Sequence, residues 1–417
     1  MAIKLKNGDK SVIKSKIGDK TAIKVAKKMM SDVFVIGAGC SVPYGFPTGA
    51  MLMQKLKKFD YKDRIEYTAQ HLLDRHYLFD LYPERLSITY DEYINKASQI
   101  SGYNTRLNSE KQTVNNIVSS IAKDFAKSIR HSMMVSTDEF LKNRLGQKQN
   151  EQADFGKRLI AYEILKAEQA SRLWNIDWIQ HLLSRIDQQP NWKEILKQTV
   201  FLTFNYDRVL EYCIFLYLTS DKQYADADAH SFIKEMQIHH VNGFIGSLEE
   251  IPFGAVENGK YQEIAKRMET VWEKRQNRDE TEKAKYQEFL KSAQRVYFMG
   301  FSYIPDNLES IGIPRGAEII RNAKVYATAM GLSSQNRLRI STYLDLKDFE
   351  KRNEPEPMPE IEVQRGPFMT DIMYRQEYEK QERAAKDQIR SRRIRYENRI
   401  LKDASAVDLI LDYYTLP

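Results

Sequence analysis

Short apolar runs alternate with longer amphipathic segments along this chain. Five runs have the length and composition of buried strands: "DVFVIG" from Asp32, "TVFLTFN" ending near Asn205, "MQIHHVNG" ending near Gly243, "RVYFMG" ending at Gly300 and "AKVYATA" ending near Ala329. Between them, apolar residues recur three and four positions apart, as on one face of a helix. Buried strands that alternate with helices predict an α/β fold, with a Rossmann-like parallel sheet and helices on both faces.

Longer segments surround and interrupt this pattern. Residues 1–30 are polar and basic and predict an arm, while residues 60–190 carry helical periodicity and predict a large insertion. The Pro-rich, acidic stretch 354–362 predicts a linker, and the charged stretch 376–404 predicts a helix. We therefore expect three parts: an arm over 1–30, a core domain over 31–345 that contains the insertion, and a helical C-terminal extension over 346–417.

Composition limits the classes of protein to consider. Of the 417 residues, 42% are hydrophobic, which is enough to form a core, and the net charge of +7 is too diluted to indicate nucleic acid as a direct ligand. No apolar run approaches the ~18 residues of a membrane helix, and no secretion signal is recognised, so we expect a cytoplasmic protein. Two cysteines, Cys40 and Cys213, cannot form a four-thiolate zinc site, and we expect no metal.

The first strand runs into a glycine loop, "VIGAGCSVPYGFPTG". Gly37 and Gly39 permit a sharp turn and a close approach of the backbone to a phosphate. A standard dinucleotide loop has glycine three positions after Gly39, where this chain has Val42. The alternative is a tight strand-to-helix turn that binds nothing.

Two further strands end in polar residues. In "TFNYDR", Asn205 and Asp207 are placed to contact a ribose, or alternatively to form an Asx turn at the start of the next helix. In "IHHVNGFIG", the adjacent histidines point to opposite faces of the strand, so that His240 shares a face with Asn242. A neutral His240 can serve as a general base, and the alternative is a pair of structural histidines.

The fourth polar strand end is "MGFSYIPDN". Gly300 and Ser302 are placed to contact adenosine or phosphate, and Asp306 to accept a hydrogen bond from a ribose hydroxyl. The alternative is a surface loop after a buried strand. Because ligands of parallel sheets bind at the carboxyl ends of the strands, the coincidence of four such ends is more informative than any one of them.

Together the four segments resemble the sirtuin-like superfamily, in the order that this family uses. The resemblance depends on a glycine loop followed by a Gly-Phe-Pro turn, an N-x-D after a strand, an imperfect His-Gly segment and a late G-F-S loop. The matching positions are Gly37, Ala38, Gly39, Ser41, Gly45, Phe46, Pro47, Asn205, Asp207, "HHVNGFIGS", Gly300, Phe301 and Ser302. The segments "TFNYD" and "MGFSYIPDN" look like the bacterial sirtuin-like NAD hydrolases of anti-phage defence, and the helical insertion, with "STDEFL" within it, resembles theirs as well. For "STDEFL", a helix capped by Asp138 is the alternative.

The resemblance implies that NAD is the substrate and that its nicotinamide–ribose bond is hydrolysed. Asn205 would orient water or a ribose hydroxyl, and His240 would act as a base or hydroxyl partner. The remaining implied contacts to NAD come from Gly37, Ala38, Gly39, Ser41, Pro47, Thr48, Asp207, Asn242, Gly300, Ser302 and Asp306. The reaction passes through an oxocarbenium-like state, so that positioning and electrostatics should dominate.

One position departs from the family pattern. The family has histidine immediately before the glycine, where this chain has Asn242. Either His240 takes the catalytic role through a shifted backbone, or Asn242 does, or the protein senses the nucleotide without cleaving it. Deacylation is disfavoured because the zinc cysteines are missing. The charged helices around 260–290 and 376–404 offer surfaces for a homo-oligomer or a partner protein, such as an ATPase or a phage-sensing subunit.

Overall fold

The computed structural model describes residues 31–58, 105–174, 176–256, 260–270, 273, 280–313, 318–348, 359, 361–363, 365, 369–396 and 399–416. The predicted arm over 1–30, positions 60–104 of the predicted insertion and most of the predicted linker lie outside these residues.

Within the described residues, seven parallel strands form one sheet, in the order β3-β2-β1-β4-β5-β7-β6. The strands are β1 (Ser31–Ile36), β2 (Val200–Thr203), β3 (Gln237–His240), β4 (Ala293–Met299), β5 (Lys324–Thr328), β6 (Lys347–Asp348) and β7 (Arg399–Lys402). The first five are the strands that the apolar runs predict. The order of β1 to β5 is that of a doubly wound fold, in which successive strands are added first on one side of β1 and then on the other. The predicted Rossmann-like parallel sheet is therefore confirmed.

Alternation along the strands separates two cores, one on each face of the sheet. In β1, Val33 and Val35 point to one face, while Phe34 and Ile36 point to the other. On the second face, Phe34 stacks between two aromatic rings of the neighbouring strands, with ring centroids 5.3 Å from Phe201 and 4.7 Å from Tyr297. Because both faces are apolar, both must be covered by helices.

The helices provide that cover. They are α1 (Gly49–Lys57), α2 (Thr105–Arg130), α3 (Thr137–Gly146), α4 (Asn150–Ala167), α5 (Trp178–Asp187), α6 (Trp192–Gln198), α7 (Val209–Leu216), α8 (Asp226–Glu235), α9 (Tyr261–Arg267), α10 (Glu280–Ser292), α11 (Pro305–Ser310), α12 (Ser334–Leu344), α13 (Asp371–Tyr396) and α14 (Ala406–Tyr413). Helices α1 to α9 and α14 contribute to the core that contains Phe34, and α10 to α12 contribute to the core that contains Val33. Helices α2 to α5 lie in the described part of the predicted insertion.

The predicted helix over 376–404 is wrong at its C-terminal end. Helix α13 ends at Tyr396, and Arg399–Lys402 form β7, which pairs with both β5 and β6. Leu401 of this strand is fully buried. Arg399 is only 2% exposed, and its guanidinium donates to the carbonyls of Ile320, Ala323, Leu344 and Asp345. The strand is missed because a charged residue that satisfies its hydrogen bonds inside the fold resembles, in sequence, a continuation of the charged helix.

No helix among the described residues combines the length and the apolar character that crossing a membrane requires.

Candidate functional site

The four predicted strand ends meet at one edge of the sheet. They follow β3, β2, β1 and β4, which are consecutive neighbours in the sheet. Hydrogen bonds link each of these loops to the next, as described below. The structure therefore places the four segments next to one another.

The glycine loop after β1 packs directly on the loop after β4. Gly37 N donates to Met299 O at 2.9 Å, and Gly39 N donates to Gly300 O at 3.0 Å. A Cβ on Gly37 would lie 2.4 Å from Gly300 O, and a Cβ on Gly300, which has φ +54°, would lie 2.3 Å from Cys40 N. Glycine is needed at both positions because the two backbones touch. The amides of Gly37 and Gly39 are thus bonded within the protein, and the predicted contact of this loop with a phosphate stays a prediction.

Asn205 joins the loop after β1 to the loop after β2. Its side-chain amide donates to Ser41 Oγ at 3.0 Å and to Gly37 O at 3.2 Å, and the residue is only 7% exposed. The other side-chain atom, Oδ1, is buried and has no hydrogen-bond partner among the described residues. The amide group is therefore held in one orientation with an acceptor unused.

Asp207 lies beside Asn205 and shares Ser41 with it. The Ser41 hydroxyl hydrogen-bonds the Asp207 carboxylate, which also accepts from Val209 N at 3.3 Å. Burial raises the pKa of Asp207 to about 6, and these hydrogen bonds offset only part of that effect. The contact with Val209, at the start of α7, is the Asx turn considered above, and it offsets only part of the rise in the pKa of Asp207.

His240 is held at both ring nitrogens. Nδ1 lies 2.8 Å from Asn205 O, and Nε2 lies 2.5 Å from Glu211 Oε1 on α7. In this arrangement neither nitrogen has a free lone pair to accept a proton from a substrate. Glu211 is a site residue that the sequence reasoning missed. Its signal was a single carboxylate in the otherwise apolar stretch "VLEYCIFLYL".

The two other polar residues of the β3 region separate as predicted. His239 points to the opposite face, where its ring stacks on Phe289 of α10, with centroids 5.3 Å apart, and burial lowers its pKa to about 4. Asn242 is 6% exposed, and its Oδ1, like that of Asn205, is buried without a partner among the described residues. The carboxyl ends of β2 and β3 thus carry two unpaired amide oxygens.

The remaining predicted residues lie at the rim. Half-buried Ala38 and Pro47 belong to the glycine loop, and Thr48 caps α1 by accepting from Met51 N. On the β4 side, Ser302 is exposed and Asp306 forms an ion pair with Lys142 of α3, 3.3 Å away.

The insertion motif "STDEFL" begins α3, and its cap differs from the predicted one. Ser136, not Asp138, is the N-cap, and its side chain accepts from Glu139 N at 3.2 Å. Asp138 lies one residue into the helix, and its Oδ2 is 3.8 Å from the position that a Cβ on Gly49 would occupy. A serine with extended backbone is the better cap because its oxygen reaches the third amide of the helix.

A buried ion pair anchors the insertion to the loop after β3. Arg208 is 1% exposed and binds both carboxylate oxygens of Glu168, at 3.1 and 2.6 Å. Its remaining hydrogen bonds go to the carbonyls of Gly246, Ser247, Ile251 and Pro252. This network holds the loop that follows His240 and Asn242, and sequence reasoning missed it.

Next to His240, at the edge strand β3, lies a cavity of about 500 Å³, with Glu211, Phe244 and Arg267 among its lining residues. Within the described ranges, no three His, Cys, Asp or Glu side chains are grouped to hold a metal ion. Neither a scan against protein-family models nor a search of curated proteins finds a match for this chain. The function must therefore be inferred from the site itself.

Proposed function

We propose that this chain binds NAD at the carboxyl ends of β1 to β4 and hydrolyses its nicotinamide–ribose bond. The observation that carries the proposal is the hydrogen bonding of the Asn205 side chain. Its amide is clamped by Gly37 and Ser41, while its Oδ1 is buried and unpaired among the described residues. A buried acceptor without a donor is unfavourable, and a ribose hydroxyl or a water molecule would satisfy it.

Asn242 supports the same ligand. Its unpaired Oδ1 is a second acceptor on the adjacent strand end. Two acceptors on neighbouring strands suit the vicinal hydroxyls of a ribose, which are hydrogen-bond donors. The four-segment resemblance to the sirtuin-like superfamily points to the same nucleotide.

Cleavage needs an oriented sugar and an acceptor for the proton of the attacking water. The pyridinium leaving group is already activated, so that positioning contributes most of the rate. Asp207 suits the acceptor role because its pKa of about 6 leaves it largely ionised at neutral pH yet basic enough to take a proton. We assign it that role in place of His240, whose two nitrogens are both engaged.

The biological role follows from the reaction. An enzyme that consumes NAD is toxic to its own cell, so that it must be held inactive until needed. We infer a role in anti-phage defence by NAD depletion, with activation through self-assembly or a partner protein, as the sirtuin-like resemblance implies.

The test is NAD turnover, measured as release of nicotinamide and ADP-ribose over a wide range of protein concentrations. We expect Asn205→Ala to lower kcat/KM by about 100-fold or more, the loss typical of a positioned polar group. Asn191→Ala is the matched control, because Asn191 is exposed at the start of α6, before β2, and its side chain forms no cap hydrogen bond there. It should retain activity within about threefold of the wild type. Equal activity of Asn205→Ala and wild type would refute the assignment.

A second candidate is binding without cleavage, as in a sensor subunit. The observation that favours it is Asn242 at the position where the family has histidine. Calorimetry with ADP-ribose separates the two candidates. Binding of ADP-ribose without turnover of NAD, under every activating condition, supports the sensor. Absence of both ADP-ribose binding and NAD turnover refutes both candidates.

A further inference from the structure

His240 bridges two hydrogen-bond acceptors. Asn205 O is a carbonyl and Glu211 Oε1 is a carboxylate oxygen, at 2.8 and 2.5 Å from Nδ1 and Nε2. A neutral imidazole has one N–H and can donate to only one of them. When Glu211 is ionised, both contacts are satisfied together only if His240 carries two protons and a positive charge.

The surroundings favour that charged form. The side chains of His240 and Glu211 are 7% and 12% exposed, so that water screens their attraction weakly. Burial by itself lowers the pKa of His240, but the Glu211 carboxylate, the Asn205 carbonyl and the Asp207 carboxylate together outweigh it and raise the pKa above the ordinary value.

Other charged groups line the same cavity, and most of them neutralise one another. Arg208 is paired with Glu168, Lys234 of α8 with Glu249, and Arg267 of α9 with Glu250. The titratable groups that complete the lining are His230 of α8, His239, Glu269 after α9 and Glu282 of α10. His230 stacks on Phe215, and Glu282 accepts from Tyr286. Glu211 is therefore the charged group that His240 contacts directly.

We propose that Glu211 is a positioning residue that acts through His240 on Asn205. Glu211 holds the imidazolium, and the imidazolium fixes the backbone carbonyl of Asn205 from β3. The Asn205 side chain, clamped from the other side by Ser41 and Gly37, then presents Oδ1 in one place. The catalytic meaning of this arrangement rests on the proposed NAD hydrolysis, whereas the ionisation of the pair does not.

The two possible roles of His240 give opposite dependences on pH. As a positioning cation, His240 must stay protonated, so that activity falls as the pH rises through its pKa. As a general base, it must be neutral, so that activity rises over the same range. Removing the negative charge of Glu211 lowers the pKa of His240 in both cases.

The first measurement is the pH profile of kcat and KM in Glu211→Gln, which preserves shape and a hydrogen-bonding oxygen. We expect the basic limb of kcat to shift to lower pH by about one pH unit or more, with KM changed less than kcat. Glu249→Gln, which changes another carboxylate lining the same cavity, is the control and should leave the profile unchanged. Because the Glu211 charge also raises the pKa of Asp207, a shift of the acidic limb in Glu211→Gln is expected with either base. An acidic limb that disappears in His240→Asn would show instead that His240 is the base.

His240→Asn sharpens this comparison. The asparagine amide can donate in place of Nδ1 but does not titrate. We expect it to keep at least about tenfold more activity than His240→Ala and to lack the basic limb. Equal inactivity of the two variants would overturn the positioning role. Thermal unfolding of each variant establishes that it is folded.

The second measurement does not require activity. In protein labelled with ¹³C at histidine, the seven ring signals can be titrated by NMR, and His240→Asn assigns the one of interest. We expect His240 to titrate above the ordinary value of ~6.5 and Glu211→Gln to lower its pKa. The side-chain amide signal of Asn205 should follow the same titration. A pKa at or below 6.5, or one that Glu211→Gln leaves unchanged, overturns the proposal. If the titrations behave as expected and wild type shows no NAD turnover, only the proposed function fails.

Discussion

Replacing Gly300 by alanine tests whether the two loops of the site depend on direct backbone contact. Gly300 has φ +54°, and an added Cβ would lie 2.3 Å from Cys40 N and 2.7 Å from Gly39 C. These are backbone atoms, so that no side-chain rotation relieves the overlap. The position of Gly300 is also fixed by β5, because the Gly300 amide donates to Thr328 Oγ1 at 3.0 Å.

The size of the effect separates into two contributions. An alanine in the left-handed region costs about 1 kcal/mol, and overpacking against fixed atoms costs about 1–3 kcal/mol more. Gly331 is the matched control, because it has φ +75° but, apart from its chain neighbours, no described residue has a heavy atom within 4 Å of the position of its Cβ. We therefore expect Gly331→Ala to lose about 1 kcal/mol and Gly300→Ala to lose about 2–4 kcal/mol.

Calorimetric unfolding measures both variants. A chain of 417 residues that unfolds as one unit loses about 1 °C in Tm per kcal/mol, so that Gly300→Ala should unfold about 2–4 °C below wild type. ADP-ribose affinity should fall in Gly300→Ala alone, since only this change separates the loops after β1 and β4. Equal losses of Tm and affinity in the two variants would refute the reasoning, because the close approach would then contribute nothing.

Three further predictions concern the fold around the site. Arg208→Ala leaves the buried Glu168 carboxylate without its ion-pair partner and should reduce the free energy of unfolding by about 3–5 kcal/mol. The control is Arg267→Ala, which breaks the ion pair with Glu250; because that pair is about one-third exposed, the loss should be less than about 1 kcal/mol. Tyr414→Ala should cost about 3–5 kcal/mol in urea unfolding, whereas Tyr414→Phe should be neutral or stabilising, because the buried Tyr414 hydroxyl has no partner in the described part of the chain. His239 has a pKa of about 4 when folded and near ~6.5 when unfolded, so that stability is lost as the pH falls through this window; His239→Phe should flatten the dependence of Tm on pH there.

Local pattern was sufficient for strands β1 to β5, the first four of which carry the site. Strands β1, β2, β4 and β5 have apolar residues on both faces, which is typical of buried parallel strands. Strand β3 has a single apolar residue, Ile238, and is followed by Asn242 and Gly243. Strand β7 was not predicted, because the burial of Arg399 depends on four carbonyls from distant segments. Because those carbonyls are distant in the sequence, the residues next to Arg399 do not indicate that its side chain is buried.

For the site, the sequence by itself determined which residues end the strands, and a parallel sheet requires such ends to meet at one edge. The tertiary structure alone decided what those residues contact. Gly37 and Gly39 lie against Gly300, and His240 lies between Asn205 and Glu211. The physical reason is that local composition sets which segments are buried as strands and where they end, whereas hydrogen bonds of about 3 Å depend on the register of neighbouring strands and on the rotation of the helix that follows. Neither the register nor the helix rotation can be predicted from local sequence pattern.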